Sequence, residues 1–377
     1  MKHIRFIFAT ILMFTVCPYT EGISVRGWSN FDITAGNTDN LYRTSTAFSD
    51  TLSNLAVILG AKTVFSPKFY CNTSYRLDNR MYGNYTSAKY SMQSISEEVF
   101  SSLFNDTIEF NFTGTYDYFL QPERTTYDFT GVYLSPEIKA YFTDELTLSL
   151  SYIYQQTDYP LYNLDNLMTG YFMSLGYDLS LFNSMKLYAY SYHKPFLEYH
   201  LYQTSDGTTS SLTRTDENIG GTLYYTTIIL FGQVSIKYNY DSLISNGDYL
   251  HYGTDKTYYT DDEFIISDYN SYSAHKFGIG YGIYTLHPFI FNITGDIQSV
   301  NYRQRHYLNS DNLYSTDIQR DTVSTLSMSF GYIITDFGDL GKLRLNLRYD
   351  YETLSSNNPV AGYSNNIITS SLSGWFW

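Results

Sequence analysis

Apolar and polar residues alternate one by one in many segments of about ten residues, spread over the chain after residue 23. In residues 342–352, every second residue from Leu343 to Tyr351 is apolar, and those between are Lys, Arg, Asn, Asp or Glu. Residues 108–118, 146–154 and 277–283 repeat the alternation. Because successive side chains of a strand point to opposite faces, each segment predicts a strand with one apolar face. About ten residues also suffice for a tilted strand to cross a bilayer.

Composition favours a membrane-embedded sheet over a soluble domain. Of the 377 residues, 42 are Tyr and 25 are Phe, and only 16% are charged, against about 25% in an ordinary soluble protein. The net charge of −14 disfavours a nucleic-acid partner, because phosphate binding requires clustered Lys and Arg. After the N-terminus, no uncharged apolar run reaches the roughly 18 residues of a membrane helix.

The N-terminus has the pattern of a secretory signal peptide. Lys2 and Arg5 precede an apolar core at residues 6–16, and cleavage after Gly22 is expected, so residues 1–22 form the predicted signal peptide. Lipidation of Cys17 is the alternative. Cleavage would leave Cys71 as the only thiol, so strand pairing rather than a disulfide must stabilise the fold.

The alternation predicts an all-β chain of about sixteen strands, with fourteen to eighteen allowed. In the first quarter, the expected strands are residues 23–35, 41–51, 63–75 and 85–94. In residues 93–106, Ser94 and Glu97 precede apolar residues at helical spacing, which predicts either a short helix or a displaced strand.

Short and long connections between the predicted strands alternate along the chain. Short connections are expected at residues 143–145, 180–184, 230–233, 285–287 and 336–341. Long polar stretches lie between them, at residues 195–218, 244–272, 301–322 and 352–365. This is typical of a transmembrane antiparallel up-and-down β-barrel, with short turns at one membrane surface and longer loops at the other.

The chain ends in Ser373-Gly374-Trp375-Phe376-Trp377 without a polar tail. This end resembles the aromatic terminal strand of porin-type Gram-negative outer-membrane β-barrels, so Trp375, Phe376 and Trp377 form a candidate insertion signal. The resemblance covers residues 23–377 as one barrel domain, and it is one of architecture rather than of a specific family. It implies an outer-membrane location, contacts with membrane lipid and lipopolysaccharide, and assembly by the barrel-assembly machinery.

One feature departs from the pattern of these barrels, in which alternation runs back from a terminal Phe. Here Ile368, Leu372 and Phe376 lie on one face of the last strand, and Trp375 and Trp377 lie on the other. Either face of this strand is therefore a candidate for the lipid surface.

The polar faces of the predicted strands are candidates for the lining of a bore. If Leu343 to Tyr351 meet lipid, the charged residues between them must face inward, because an Arg or Lys at the bilayer midplane costs about 2–4 kcal/mol. The same reasoning gives the full candidate pore lining: Arg26, Asp32, Glu109, Asp117, Glu137, Lys139, Lys237, Asp296, Lys342, Arg344, Arg348, Asp350 and Glu352. Both signs are present, and the acidic loops add a negative potential, so a weak cation preference is expected.

Three tyrosines form a candidate aromatic track. Tyr188, Tyr190 and Tyr192 share one strand face, opposite Met185, Leu187 and Ala189. Facing inward, they could stack on sugar rings, as in the greasy slides of sugar-selective porins. Facing outward, they would belong to the lipid-facing aromatic girdle, which is the preferred interpretation.

A channel for small hydrophilic solutes is the function that the sequence favours, since a barrel of about sixteen strands is too wide for side chains alone to fill. A structural, adhesive or partner-sheathing barrel is the alternative, and an outer-membrane enzyme a lesser one. No His arrangement resembles those of outer-membrane lipases or proteases, and no cluster has zinc spacing, so no catalysis, cofactor or metal is expected. The acidic stretch at residues 241–268 either binds divalent cations at a lipopolysaccharide surface or is a solvated loop.

Overall fold

In the computed structural model, sixteen antiparallel strands close into one barrel. The structure describes residues 23–41, 43, 47–161, 163–202, 209–247, 249–251, 264–266, 269–308, 314–359 and 361–377. The predicted signal peptide and Cys17 lie outside these ranges, as does most of the acidic stretch at 241–268. The all-β up-and-down barrel and its strand number are confirmed.

The strands are numbered in chain order. The first nine are β1 (Ser24–Thr38), β2 (Asp50–Ser66), β3 (Phe69–Tyr82), β4 (Tyr90–Leu103), β5 (Ile108–Leu120), β6 (Phe129–Tyr141), β7 (Leu146–Asp158), β8 (Asn166–Ser180) and β9 (Asn183–Tyr202). The others are β10 (Thr209–Ile229), β11 (Gly232–Ser245), β12 (Tyr249–His251), β13 (Phe264–Ile266), β14 (Tyr272–Ile283), β15 (Phe289–Leu308), β16 (Tyr314–Asp336), β17 (Gly341–Ser356) and β18 (Tyr363–Phe376).

Each barrel strand pairs with its neighbours in the chain, and β1 pairs with β18 to close the circuit. The short strands β12 and β13 pair only with each other, in the connection between β11 and β14. Closure gives every barrel strand a neighbouring strand on both sides, so that its backbone N–H and C=O groups can pair as hydrocarbon requires. The helices of the described ranges are three single turns, Thr86–Ala88, Thr125–Tyr127 and Gly338–Leu340, and none is long enough to span a membrane.

Short and long connections alternate around the barrel, as the sequence predicts. Seven connections of two to five residues lie at one edge, together with the start of β1 and the end of β18. The eight at the other edge have five to 26 residues. Two stretches predicted as loops, 195–218 and 301–322, consist largely of strand, because β9, β10, β15 and β16 continue to lengths of 20 to 23 residues.

Two strand predictions in the first quarter are wrong. Of the expected strand at residues 41–51, only Asp50 and Thr51 are strand among the described residues, because β2 begins at Asp50. The Asp50 carboxylate accepts hydrogen bonds from the N–H groups of Thr51, Asn84 and Tyr85, at 2.7, 2.9 and 2.9 Å. The expected strand at 63–75 is instead a hairpin that turns at Pro67, which lacks an N–H for the ladder.

The predicted helix within residues 93–106 is also wrong, and the displaced-strand alternative is confirmed. The strand expected at 85–94 begins at Tyr90 and runs to Leu103 as β4. Its apolar face carries Ile95 and Val99 with Glu97 between them, which breaks the alternation that would otherwise identify a strand. The chain then reverses through Phe104, Asn105 and Asp106, all with positive φ.

Candidate functional site

The strand pairing sorts the barrel residues into two faces. Directly opposite residues of antiparallel strands lie on the same side of a sheet, so the register carries a face from strand to strand. One face, here called the polar face, holds the even-numbered residues of β1–β4, β8–β10, β14, β15 and β17, and the odd-numbered residues of β5–β7, β11, β16 and β18. When the register is followed around all sixteen strands, β1 is assigned the same face at the end as at the start.

All thirteen candidate lining residues lie on the polar face. Arg344 is opposite Ser373, which is opposite Asp32 on β1, so the register brings the two ends of the chain together. Glu109 is opposite Lys139. Gly278 is opposite Lys237 on one side and Asp296 on the other. A cavity of about 370 Å³ lies against Asp32, Lys342 and Arg344, as expected of the concave side of a barrel.

The opposite face is apolar and exposed. Leu345 and Leu347 on β17 are 48% and 54% exposed, and Leu150, Ile279 and Ile297 are exposed to a similar degree. An apolar surface this continuous is unusual on a soluble protein, and it is the surface that a transmembrane barrel presents to lipid. Tyrosines such as Tyr152 and Tyr171 share this face, with ring centroids 5.4 Å apart.

The polar face also carries charged residues that the sequence did not identify. Outside the irregular strand ends they are Asp50, Lys62, Arg76, Asp78, Arg80, Glu98, Asp178, Lys186, Lys194, Arg214, Asp216, Asp241, Lys276 and Asp321. Several lie in strands whose positions were predicted wrongly from the sequence. For the rest, only the strand register shows which face of the sheet they occupy. With the thirteen candidates they give thirteen cationic and fourteen anionic side chains among the described residues in regular register, so this part of the face is almost neutral although the chain carries −14.

Many of these charges are paired along or across strands. The Arg348 guanidinium lies 2.7 Å from the Asp350 carboxylate, Lys276 Nζ lies 3.2 Å from Asp296, and Lys139 Nζ lies 3.7 Å from Glu109. Arg344 forms no ion pair among the described residues. Of the two arginines on β17, Arg344 is therefore the one whose charge is not compensated by a paired carboxylate.

The three candidate track tyrosines lie on the polar face. The preferred interpretation placed them in the lipid-facing girdle of the opposite face, and the register does not agree with it. Tyr190 and Tyr192 stack with centroids 5.2 Å apart and rings inclined by 23°. The Tyr190 hydroxyl donates to Asp241 at 2.5 Å, and the Tyr272 hydroxyl donates to the other carboxylate oxygen at 2.6 Å. Gly220 lies opposite Tyr190, where any Cβ would collide with the tyrosine ring, so the glycine lets that ring lie against the wall.

The C-terminal residues divide between the two faces. Phe376 lies on the apolar face, where its ring stacks with Phe31 at 6.2 Å and contacts Phe337 at 6.2 Å. Trp375 lies on the polar face with Lys342, and Trp377 lies beside Arg26 of that face. The alternation therefore runs back from Phe376, the penultimate residue, in the manner of a terminal Phe.

Titratable residues form no metal cluster in the described ranges, where no three His, Cys, Asp or Glu side chains converge. His275 lies on the apolar face, with Nδ1 2.8 Å from the Tyr238 hydroxyl. His193 Nδ1 lies 3.7 Å from Glu217 on the same face. Both positions are away from the polar face.

Comparison with known proteins finds similarity in structure but not in sequence. No family model and no curated protein matches the chain. The structure of OpdQ from Pseudomonas aeruginosa is 9% identical over 94% of this chain and 98% of its own, with a TM-score of 0.48. OccK7 (OpdD) from the same organism gives 10% identity over 94% and 98%, with a TM-score of 0.48. A loop L8 deletion mutant of OmpT, an outer membrane protein of Vibrio cholerae, gives 8% over 94% and 100%, with a TM-score of 0.47.

Proposed function

We propose that the chain is an outer-membrane channel through which small hydrophilic solutes diffuse. The observation that carries this is the closed circuit of sixteen strands with charged side chains gathered on one face and exposed aliphatic side chains on the other. Such a barrel leaves a bore too wide for side chains alone to fill, and charged side chains that line it must meet water or each other.

Uptake by liposomes tests the channel. Vesicles that contain the folded barrel are expected to swell in isotonic solutions of small neutral solutes, at a rate that falls as solute size rises. Vesicles with boiled protein are the control. Vesicles in which the folded barrel permits no swelling would contradict the proposal and favour a structural or partner-sheathing barrel.

We propose that the candidate lining residues set a weak ionic selectivity. The polar face is nearly balanced in charge, so the acidic loop residues tip the preference towards cations at low salt, where the Debye length is long. Reversal potentials under a KCl gradient are expected to show a small cation preference that fades as ionic strength rises. A clearly anion-selective channel would contradict the sign.

The substitution Arg344→Glu is expected to increase the cation-to-anion permeability ratio about two- to fivefold, because it exchanges an uncompensated cation for an anion beside Asp32. Arg348→Glu is the matched control on the same strand and face. It makes the same change of charge outside the cavity that Arg344 and Asp32 line, so it should have a smaller effect on selectivity than Arg344→Glu. Equal permeability ratios in wild type and Arg344→Glu would place Arg344 away from the narrowest point.

The candidate aromatic track is expected to assist ring-shaped solutes. Tyr190→Ala should slow maltotriose uptake about two- to tenfold relative to an acyclic polyol, since ring stacking contributes about 0.5–1.5 kcal/mol. Tyr190→Phe removes only the hydroxyl bonded to Asp241 and should retain most of the uptake. Equal maltotriose rates for wild type and Tyr190→Ala would leave the tyrosines without a role in transport.

A further inference from the structure

The three tryptophans of the chain lie together at one mouth of the barrel. Trp28 is on β1, near the start of the barrel, and Trp375 and Trp377 are at the end of β18, which pairs with β1. All three line one cavity of about 490 Å³, within the range of small-molecule sites, about 300–1,000 Å³. Because β1 starts and β18 ends at the edge with short turns, this tryptophan cluster lies at the short-turn mouth.

Lipid contact does not account for the tryptophan cluster. Tryptophan in membrane barrels usually belongs to a lipid-facing girdle. Here Trp28 and Trp375 lie on the polar face, and Trp377 lies beside Arg26 of that face. At the same depth, the apolar face is supplied by Phe31 and Phe376. Trp375 and Trp377 are 38% and 46% exposed, so a large apolar surface is left open towards the bore. Such surface gains free energy when a ligand covers it.

The indole rings are held in place before any ligand arrives. Trp28 Nε1 donates to Asn72 Oδ1 at 2.9 Å, and Asn72 Nδ2 donates to Glu98 Oε2 at 3.4 Å. Gly60 lies opposite Trp28, where a Cβ would collide with the indole, so this glycine is needed for the ring to lie against the wall. Trp375 and Trp377 meet nearly edge to face, with centroids 6.0 Å apart and rings inclined by 85°, and so form a corner of two apolar planes.

The rim of the cavity can both donate and accept hydrogen bonds without a large net charge. The residues that line it include one cation, Lys62, one anion, Glu98, and the amides of Asn30 and Asn72. Arg26 lies outside this lining, with its guanidinium 5.8 Å from the centroid of the Trp377 ring. Lys62 Nζ already lies 3.6 Å from the centroid of the Tyr70 ring. A site with apolar planes and a balanced polar rim suits an uncharged ring that has an apolar face and a hydrogen-bonding edge.

We propose that the tryptophan cluster is a binding subsite for uncharged cyclic solutes of this kind at the short-turn mouth. The ring stacks on the exposed indoles, and its polar edge bonds to Glu98 and Lys62. This inference rests on the proposed channel and names a solute class for it. Sugars and nucleosides both have the required chemistry, and the test includes one of each.

Tryptophan emission, excited at wavelengths that the 42 tyrosines do not absorb, reports on this subsite alone, because the chain has no other tryptophan. Titration of the folded barrel in detergent with maltotriose or with adenosine is expected to change the emission saturably, and the stronger binder identifies the source of the ring. Brominated lipids in vesicles should quench the emission weakly, since the indoles face the bore. Strong quenching by brominated lipid would overturn the proposal, as would emission that neither solute changes saturably.

Trp28→Leu is expected to weaken solute binding about fivefold or more, read from the emission of Trp375 and Trp377, and to leave the barrel folded on unheated SDS gels. Trp28 is chosen because it lies outside the C-terminal segment. Tyr177→Leu is the matched control, as it removes an exposed ring of the apolar face near the same edge and should change binding less than twofold. Equal affinity in wild type and Trp28→Leu would overturn the subsite. A barrel that conducts ions without a fluorescence response would reject the subsite and leave the channel standing.

Discussion

Replacing Leu347 with Arg is expected to lower the free energy of unfolding of the barrel in a bilayer by about 2–4 kcal/mol. Leu347 lies in the middle of β17, 54% exposed on the apolar face, between Phe330 and Ser370 of the neighbouring strands. An Arg there must either enter hydrocarbon or bend towards a distant interface. Chemical denaturation of the barrel in vesicles measures the loss.

Asn346→Arg is the matched control, since it introduces the same side chain one residue away on the polar face. The wild-type amide donates to Ser371 and Ser373 at 3.2 Å each, so a loss of about 1 kcal/mol is expected from this variant. Equal losses for Leu347→Arg and Asn346→Arg would contradict the assignment of the two faces.

Deletion of Phe376 and Trp377 is expected to reduce the assembled fraction about tenfold or more, because it removes contacts that close the barrel. Phe376 pairs with Ser29 on β1 and with Gly341 on β17, and Trp377 N–H donates to the Leu340 carbonyl at 3.1 Å. The assembled fraction is measured as the band that migrates differently before and after boiling on SDS gels.

The control for this deletion removes Asn358 and Pro359 from the connection at the opposite end of β17 and β18. That connection tolerates shortening better than the closing seam, so assembly should remain near the wild-type level. Undiminished assembly after loss of Phe376 and Trp377 would show that the aromatic end is neither a closing element nor an insertion signal.

The centres of the strands in the second half could be predicted from the sequence where their alternation is uninterrupted. The ends of β9, β10, β15 and β16 could not, because they fall in the polar stretches 195–218 and 301–322, whose composition predicts loops. The segment from Leu343 to Tyr351 has apolar residues on one face only, and the register confirms that they share that face. The connection lengths predicted which ends of the strands share an edge of the barrel, since a short turn recurs at every second connection.

The first quarter could not be predicted in the same way, for reasons that lie in single residues. Glu97 lies on the apolar face, where its carboxylate accepts from the Thr73 hydroxyl at 2.6 Å, so the period of two is broken at the centre of β4. Pro67 was the available signal for the turn between β2 and β3, because proline within an alternating run argues against a continuous strand.

The faces of the aromatic residues also needed the register. Tyr188, Tyr190 and Tyr192 alternate with aliphatic residues, a pattern that fits a lipid girdle as well as a lining. Only the pairing of Tyr190 with Gly220, and of β10 with β11, places them beside Asp241. The tryptophan cluster depends on closure between β1 and β18, which joins residues about 350 positions apart and leaves no local trace in the sequence.

The central claim is that the polar face lines a water-filled bore, and paired cysteine variants on β15 test it most directly. Gln298 lies on the polar face and Ile297, its neighbour, is 58% exposed on the apolar face. Single channels of Gln298→Cys, in a Cys71→Ser background, are expected to lose conductance when a charged water-soluble thiol reagent is added, and those of Ile297→Cys are expected to be unaffected. Loss of conductance in Ile297→Cys alone, or folded barrels that never conduct, would contradict the account.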